Sequence, residues 1–586
     1  ARRCRCRLDR AMSLSAIEMP ARPRGRLVTA LRNDPARALT MAVILLVLAG
    51  LVIYPLALVL SYSFRDDAGH ASLTQFGQLV QNPDVGSAAI FSFWFMIEVS
   101  LGSLVLGVPL AWATSRTDMP GKLLIRGGAA ISFVIPSFIN VIAWIFLAAP
   151  NSGYLNKMLV AVFGLSSPPF NIFSFGGLVF IETAHLFPLV YFAVGTALAN
   201  VDASHEQAAR VLGAGRLRTA FTVTLPLVLP AIISSVILVM LEALSSFGAP
   251  AAIGTMANFT VLSTLIFQLL TFPPHMSLAA AVSVPVAIFT LILLWVQQRL
   301  IQRNDFTSLT GKASAPQLVH LGAMRWPLLI LLAVPVACLS ILPLAGLVAL
   351  SLLKNFGAPL IFANLGLSHF YTVFDSSFTV LPAVEHSLML AVAAATICVG
   401  IGIIFAWMVE RTAFPGRGFL IGVVTVAFGI PSIILGIGVL LGYIGPLYGT
   451  LGIILIAYAA RHLPIAFVYV RTLVKQLSPQ LEEVARVSGA GWLRTLKDVT
   501  FPVLRPGAFV AWLLIFSLCL REQPMSAILT QAGTQVMSTS VLQFLEDGSV
   551  EVAAAIAVLI VVVSVACLGV AQLLGGRRAR GGAALH

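Results

Sequence analysis
What limits this chain most is its supply of uninterrupted apolar stretches. Met41 to Ser61 and Val552 to Leu574 each reach the ~20 residues that an α-helix needs to cross ~30 Å of hydrocarbon. Inside hydrocarbon every backbone N–H and C=O must find a partner within the chain, so such stretches become helices. Apolar runs between polar breaks give about twelve spans. In the first half they lie near 39–63, 89–113, 127–148, 175–197, 225–247 and 276–299. In the second they lie near 326–352, 386–408, 419–443, 449–472, 502–520 and 549–574. With 59% hydrophobic residues, 10% charged residues and a mean hydropathy of +0.96, a soluble enzyme is excluded and an all-α integral membrane protein is expected.

The net charge of +13 suits a nucleic-acid partner in amount but not in distribution. Ten arginines precede residue 40, and most other basic residues sit in short loops beside spans. Positive-inside bias produces this pattern and places the tail 1–38 in the cytoplasm. Counting alternate spans, the loops at 114–126, 198–224, 300–325, 409–418 and 473–501 share that side. So does the tail 575–586 with Arg577, Arg578 and Arg580. The opposite loops hold few basic residues: Arg65, Lys157, Lys354 and Arg521.

The basic leader reads as a solvated tail rather than a transit peptide, because Asp9, Glu18 and scattered prolines interrupt it, and Met12 or Met19 can serve as a start. The first apolar run is too long for a signal peptide and is read as a retained span. Cys4 and Cys6 lie in the leader, while Cys338, Cys398, Cys519 and Cys567 fall in apolar runs, where cysteine acts as a small hydrophobe. No metal-ligand spacing or disulfide framework emerges.

The chain repeats itself. Ala111-Trp112, Arg116-Thr117, Pro120-Gly121 and Ile135-Pro136-Ser137 recur 295 residues later as Ala406-Trp407, Arg411-Thr412, Pro415-Gly416 and Ile430-Pro431-Ser432. Pro188, Glu206, Ala209, Gly213, Arg218, Pro226 and Pro230 recur 276 residues later as Pro464, Glu482, Ala485, Gly489, Arg494, Pro502 and Pro506. The 19-residue difference puts one insertion in the first half, with 151–174 its natural place. Two six-span halves in the same orientation imply a pseudo-two-fold axis along the membrane normal, with a pathway between them.

Each half carries a long loop that reads as a short capped helix. Asp202 and Ser478 suit the N-cap, Pro479 the first helical position, and Glu206 and Glu482 the positive helix end. Ala208, Ala209 and Ala485 keep one face shallow, and Gly213 and Gly489 suit the terminating turn. Pro226 and Pro502 then open the next span.

The pattern E-x-A-A-x-x-x-G, followed by an X-Pro span start, resembles the EAA loop of binding-protein-dependent ABC importer permeases of the type I fold. The likeness covers both halves. It implies two coupling helices that dock on a cytoplasmic ABC ATPase dimer through Glu206, Gln207, Ala208, Ala209 and Gly213, and through Glu482, Glu483, Ala485 and Gly489. Gln207 and Val484 depart from the family pattern, so the two contacts are expected to differ. The resemblance also implies a periplasmic or lipid-anchored substrate-binding protein and a bacterial inner-membrane location. The Ala-Trp-x-x-x-Arg-Thr-x-x-Pro-Gly loops and Thr310-Gly311-Lys312 are similar to ferric iron permeases. Related fused permeases serve thiamine, 2-aminoethylphosphonate or polyamine. The implied cores lie at about 86–299 within a first half at 39–299, and at about 384–574 within a second half at 326–574, joined by a linker at 300–325.

No phosphate-binding G-x-x-x-x-G-K-[ST] loop is present, so this chain is expected to bind no cofactor and to leave ATP and Mg to the partner ATPase. An ATPase-independent secondary transporter is the rival reading, and it leaves the two loops without a purpose. Within the spans, Glu98, Glu182, His185, Glu242, Arg461 and His462 are costly unless paired or wet. They either line the pathway or its gate, or join packed helices. Pro136 and Pro431 sit mid-span, as hinges or as fixed kinks.

Overall fold
The apolar runs form helices, and the polar breaks supply their stops and starts. The computed structural model describes residues 35–583, leaving out 67, 272, 304–317, 376–379 and 413–416. The Arg-rich leader with Cys4, Cys6, Met12 and Met19, the Thr310-Gly311-Lys312 triplet and Pro415-Gly416 therefore lie outside the described residues. The first half comprises α1 (Leu39–Ser63), α2 (Pro83–Arg116), α3 (Lys122–Val134), α4 (Ser137–Ala148), α5 (Tyr154–Phe163), α6 (Phe175–Asn200), α7 (Ala203–Val211), α8 (Ala220–Ser245), α9 (Gly248–Ala257), α10 (Leu262–Gln268) and α11 (Met276–Arg303). The second comprises α12 (Gly322–Leu352), α13 (Val380–Arg411), α14 (Arg417–Gly429), α15 (Ser432–Leu447), α16 (Leu451–Gln476), α17 (Pro479–Val487), α18 (Trp492–Leu520), α19 (Pro524–Leu529), α20 (Met537–Glu546) and α21 (Val550–Ala583).

Among the described residues, ten of these helices are long and apolar enough to cross a membrane unaided. The spans expected at 127–148 and 419–443 are not continuous. The chain bends by 105° between α3 and α4 and by 109° between α14 and α15. The cause is local. Proline pushes the residue before it out of the helical region, and Ile135 is extended (φ −74°, ψ 115°). Pro136 and Pro431 become the N-caps of α4 and α15 rather than kinks within a helix.

Each half is built on one parallel helix pair. Gly102 of α2 lies against Thr183 of α6, and Gly107 against Val190 and Tyr191. In the second half Cys398 of α13 meets Ala459 of α16, and Gly402 meets Ala466. Residue numbers rise together along both contacts, so the two helices of each pair run the same way. The broken pair between them must return the chain across the membrane. The path of α12 agrees: Leu329 packs on Gly121, Val336 on Gly128, and Gly346 on Leu147. From Leu329 to Gly346 is about 25 Å of helix at 1.5 Å per residue.

The first helix of each half packs on the other half. Besides α12 on α3 and α4, α1 packs on α15, where Gly438 admits the Pro55 backbone and Tyr443 Oη donates to Gly50 O at 2.9 Å. The link between halves returns beside α2. Val319 pairs with Thr117, and the Leu321 N–H, the chief cause, holds the Asp118 carboxyl below the usual carboxylate range.

Three features were not anticipated. The connections after α8 and α18 are folded inward as α9–α10, bent by 83°, and α19–α20, with Ile253, Met525 and Leu529 buried. Helices this short give no span signal. Secondly, Pro226 and Pro502 do not open their helices. A wide π turn (Ala220–Thr224, Leu496–Thr500) precedes each X-Pro pair, and the helix continues through it. That turn relieves the clash between a proline ring and the carbonyl four residues back. Thirdly, α21 continues as helix to Ala583, past the expected end at 574. The expected insertion at 151–174 holds α5, tied down by Asn156, which donates to Ala148 O, Ala149 O and Phe170 O.

The helix pairs predict their own sensitive points. A Cβ on Gly107 falls 2.7 Å from Val190 Cβ, whereas none of the surroundings of Gly400 comes within 4 Å. Gly107→Leu is expected to cost about 1–3 kcal/mol and lower the melting temperature of the detergent-purified chain. Gly400→Leu should leave it nearly unchanged.

Candidate functional site
At the end where α2 and α6 finish together, α7 is set across them. Asp202 caps α7 by accepting from Ser204 N at 2.9 Å. Ser478 takes the N-cap place of α17 without a side-chain bond. Gly213 (φ +84°) and Gly489 (φ +83°) terminate these helices in the left-handed region, as the sequence led us to expect.

Glu206 and Glu482 turn inward. Glu206 is buried, 3.3 Å from Arg116 Nη1, and accepts from Thr224 Oγ1 at 2.8 Å. Arg116 also donates to Leu198 O at 2.8 Å. Glu482 is buried 3.3 Å from Arg411 Nε and accepts from Trp407 Nε1 and Thr500 Oγ1 at 3.2 and 3.0 Å. Arg411 in turn donates to Val474 O and Leu477 O. One glutamate thus ties each short helix to the parallel pair and to the start of the next span. The repeated Ala-Trp-x-x-x-Arg motif supplies the other half of that tie, which the sequence reading left without a role. In the second half Trp407 also stacks on Trp492, centroids 5.6 Å apart, where the first half has Arg216.

What α7 and α17 present outward is different. Gln207 and Ala208 are exposed and Ala209 half-exposed, and Val211 and Leu212 are each 87% exposed. On α17, Glu483 and Val484 are exposed, Ala485 half-exposed, and Val487 is 90% exposed. These open apolar side chains stand on small helices that buried arginine–glutamate pairs hold from behind.

A second cluster lies where the halves meet at the helix breaks. Arg461 donates to Phe428 O and Ile430 O at 3.2 and 3.1 Å. His185, at the matching place in the first half, sets Nδ1 3.3 Å from Ser132 O and stacks on Phe133. Glu182 is buried, facing Ser246 and Ser137, with Glu242 in electrostatic reach and one carboxylate oxygen without a hydrogen-bond partner. His462 is buried, its Nε2 3.7 Å from Glu522 Oε2, and neither ring nitrogen is hydrogen-bonded. The breaks at Pro136 and Pro431 flank these groups. Glu98 is not among them. It is exposed on α2.

The sequence reading missed part of this cluster. It placed Arg521 in an opposite-side loop, because the apolar run ends at Leu520. The chain instead folds inward there, leaving Glu522 and Gln523 buried and Arg521 bonded to Phe133 O and Val134 O. The available signal was the triplet Arg521-Glu522-Gln523 followed by a second apolar stretch.

Two parallel-helix cores, crossed first helices and a short helix set across the end of each core make a twice-repeated membrane-spanning architecture. The family described as "binding-protein-dependent transport system inner membrane component" matches residues 103–305 and again 398–581, and the chain belongs to that family, as two fused copies. It is 24% identical to the ferric transport system permease protein FbpB of Actinobacillus pleuropneumoniae, over 80% of this chain and 68% of that one. It is 25% identical to the Fe(3+)-transport system permease protein FbpB 2 of Haemophilus influenzae, over 90% of this chain and 97% of that one. A molybdenum transport system permease protein ModB of Haemophilus influenzae is 37% identical over 28% of this chain and 69% of its own length. The chain is thus an all-α, multi-pass ABC importer permease of the type I fold, and the secondary-transporter reading falls away.

Removing one side of the buried tie should be severe. Glu206→Ala leaves Arg116 buried without its carboxylate, a loss of about 3–5 kcal/mol. Faster hydrogen exchange across 203–211 checks it, with Glu483→Ala, an exposed site, as the neutral comparison.

Proposed function
We propose that this permease moves ferric iron, delivered by an external binding protein, across the bacterial inner membrane, driven by a cytoplasmic ABC ATPase dimer that docks on α7 and α17. The two docking helices carry this reading. Each presents exposed apolar side chains while its glutamate is locked to the transmembrane core, so a push on the helix is passed to α2 and α6, or to α13 and α16. ATP and Mg belong to the ATPase partner. The docking end is cytoplasmic, in keeping with the basic residues around it, and both termini share that side. The halves act as units at 39–299 and 326–574, with cores from about 86 and 384, a linker at 300–325, and tails at 1–38 and 575–586.

Ferric iron rests on the two relatives that this chain matches over most of its length. The molybdenum permease matches only 28% of the chain, and thiamine, 2-aminoethylphosphonate and polyamine rest on general likeness. In this reading Glu182, His185, Glu242, Arg461 and His462 border the pathway between the breaks. Glu98 stands apart from it. Substrate moves by alternating access: closure of the ATPase dimer draws α7 and α17 together and rocks the halves open on the opposite side.

Val211→Asp and Val487→Asp together should abolish ATPase copurification while leaving the chain inserted in the membrane; undiminished copurification would count against docking at these helices. Deleting the gene and measuring uptake of ferric iron, molybdate, thiamine, 2-aminoethylphosphonate and polyamine decides the cargo, with loss of ferric iron uptake expected. Pro136→Ala and Pro431→Ala are expected to lower uptake more than insertion. Unaltered uptake in both would reduce the breaks to fixed shape.

A further inference from the structure
A break in a membrane helix strands carbonyls. In an unbroken helix, Phe133 O and Val134 O would accept from residues 137 and 138, but Ser137 and Phe138 open a new helix at 105°. A carbonyl left unpaired in hydrocarbon costs several kcal/mol. Both carbonyls are satisfied by one side chain from the other half. Arg521 Nη1 donates to Phe133 O at 3.2 Å and to Val134 O at 3.0 Å, with its guanidinium 5.8 Å from the centroid of the Phe133 ring.

The second-half break is served differently. Its carbonyls accept from Arg461 of the same half. Where the second half has Arg521-Glu522, the first has Ser245-Ser246, short side chains that carry no charge across. Beside Arg521, Gln523 abuts Gly248 of the first half. A Cβ there would fall 1.8 Å from Gln523 Oε1 and 2.5 Å from Phe138 Cβ. Glu242 and Glu522 lie within electrostatic reach of Arg521.

We infer that Arg521, with Gln523 beside it, is a one-sided clamp: a positioning residue by which the second half holds the broken helix of the first half and keeps the pathway shut. Opening requires Arg521 to give up two carbonyls, and Glu242 and Glu522 are the acceptors at hand. The breaks are then not equivalent. The freed carbonyls of one are paired by Arg461 of its own half, and those of the other are released only when the halves part. This deepens the proposed function, since it rests on the breaks bordering the pathway.

The test uses the full chain with its native cysteines replaced by alanine, Phe138→Cys and Gln523→Cys introduced, and a protease site in the loop between α11 and α12. Oxidation should join the halves, so that they stay together after cleavage on a non-reducing gel. Adding Arg521→Gln should slow this cross-linking at least about fivefold, a typical lower bound for a coupling between sites, and Arg521→Lys should restore it. In the copurified permease–ATPase complex without binding protein, Arg521→Gln alone should raise basal ATP hydrolysis, whereas a residue that only supports folding would lower it. Cross-linking unaffected by Arg521→Gln, or basal hydrolysis unchanged, overturns the clamp. Absence of any copurifying ATPase counts against the proposed function instead, and the cross-linking result still decides the clamp.

Discussion
Backbone pairing in hydrocarbon is the constraint on which the structure turns. Twenty-residue apolar helices satisfy it automatically, but breaks such as those at Pro136 and Pro431 do not. Each break leaves carbonyls facing the junction of the halves, and cationic or imidazole side chains are placed to meet them: His185 and Arg521 at the first, Arg461 at the second. The charges in the spans therefore divide by role. The arginines serve the backbone. The acidic groups Glu182 and Glu522, with His462, retain unpartnered polar atoms in a buried place.

The second constraint is direction. Glycines at 102, 107 and 402 let α2 meet α6, and α13 meet α16, as close parallel pairs. Parallel helices end together, so their last carbonyls, Leu198 O in one half and Val474 O with Leu477 O in the other, gather at one spot. Arg116 and Arg411 cap those carbonyls, and the remaining charge is met by a glutamate from the docking helix. The short helix that carries the glutamate is thus fixed by the needs of the helix ends behind it. Its first glutamate, expected to meet a partner, is spent inside the fold.

Ten of the twelve expected spans appear as helices long enough to cross, because length and hydropathy report directly on burial in lipid. The repeat offsets also located the extra helix α5 correctly. Two kinds of information were out of reach. Proline marks the break at Ile135-Pro136 locally, but the donor that pairs the freed Phe133 carbonyl, Arg521, is 388 residues away. Short buried helices such as α9 and α19 are too brief for periodicity or run length to register. Arg521 was misplaced for this reason: the apolar run stops where the chain turns inward, not where the membrane ends.

The anchors of the two docking helices nearly coincide while their faces do not, and this tells where the asymmetry of the halves can act. Behind each helix an arginine and a glutamate meet the carbonyls at the end of the parallel pair, Leu198 O in the first half and Val474 O with Leu477 O in the second, which adds the Trp407 donor and the stacked Trp492. On the outer faces Gln207 and Ala208 precede Val211 on α7, whereas Glu483 and Val484 precede Val487 on α17. The departures from the family pattern at Gln207 and Val484 lie on this exposed side. They leave the buried arginine–glutamate tie in place in both halves, so the two helices differ chiefly in the side chains they expose. Within the membrane the opposite holds: there the difference is internal, since Arg521 of the second half bonds carbonyls at the first-half break, whereas the second-half break takes Arg461 from its own half.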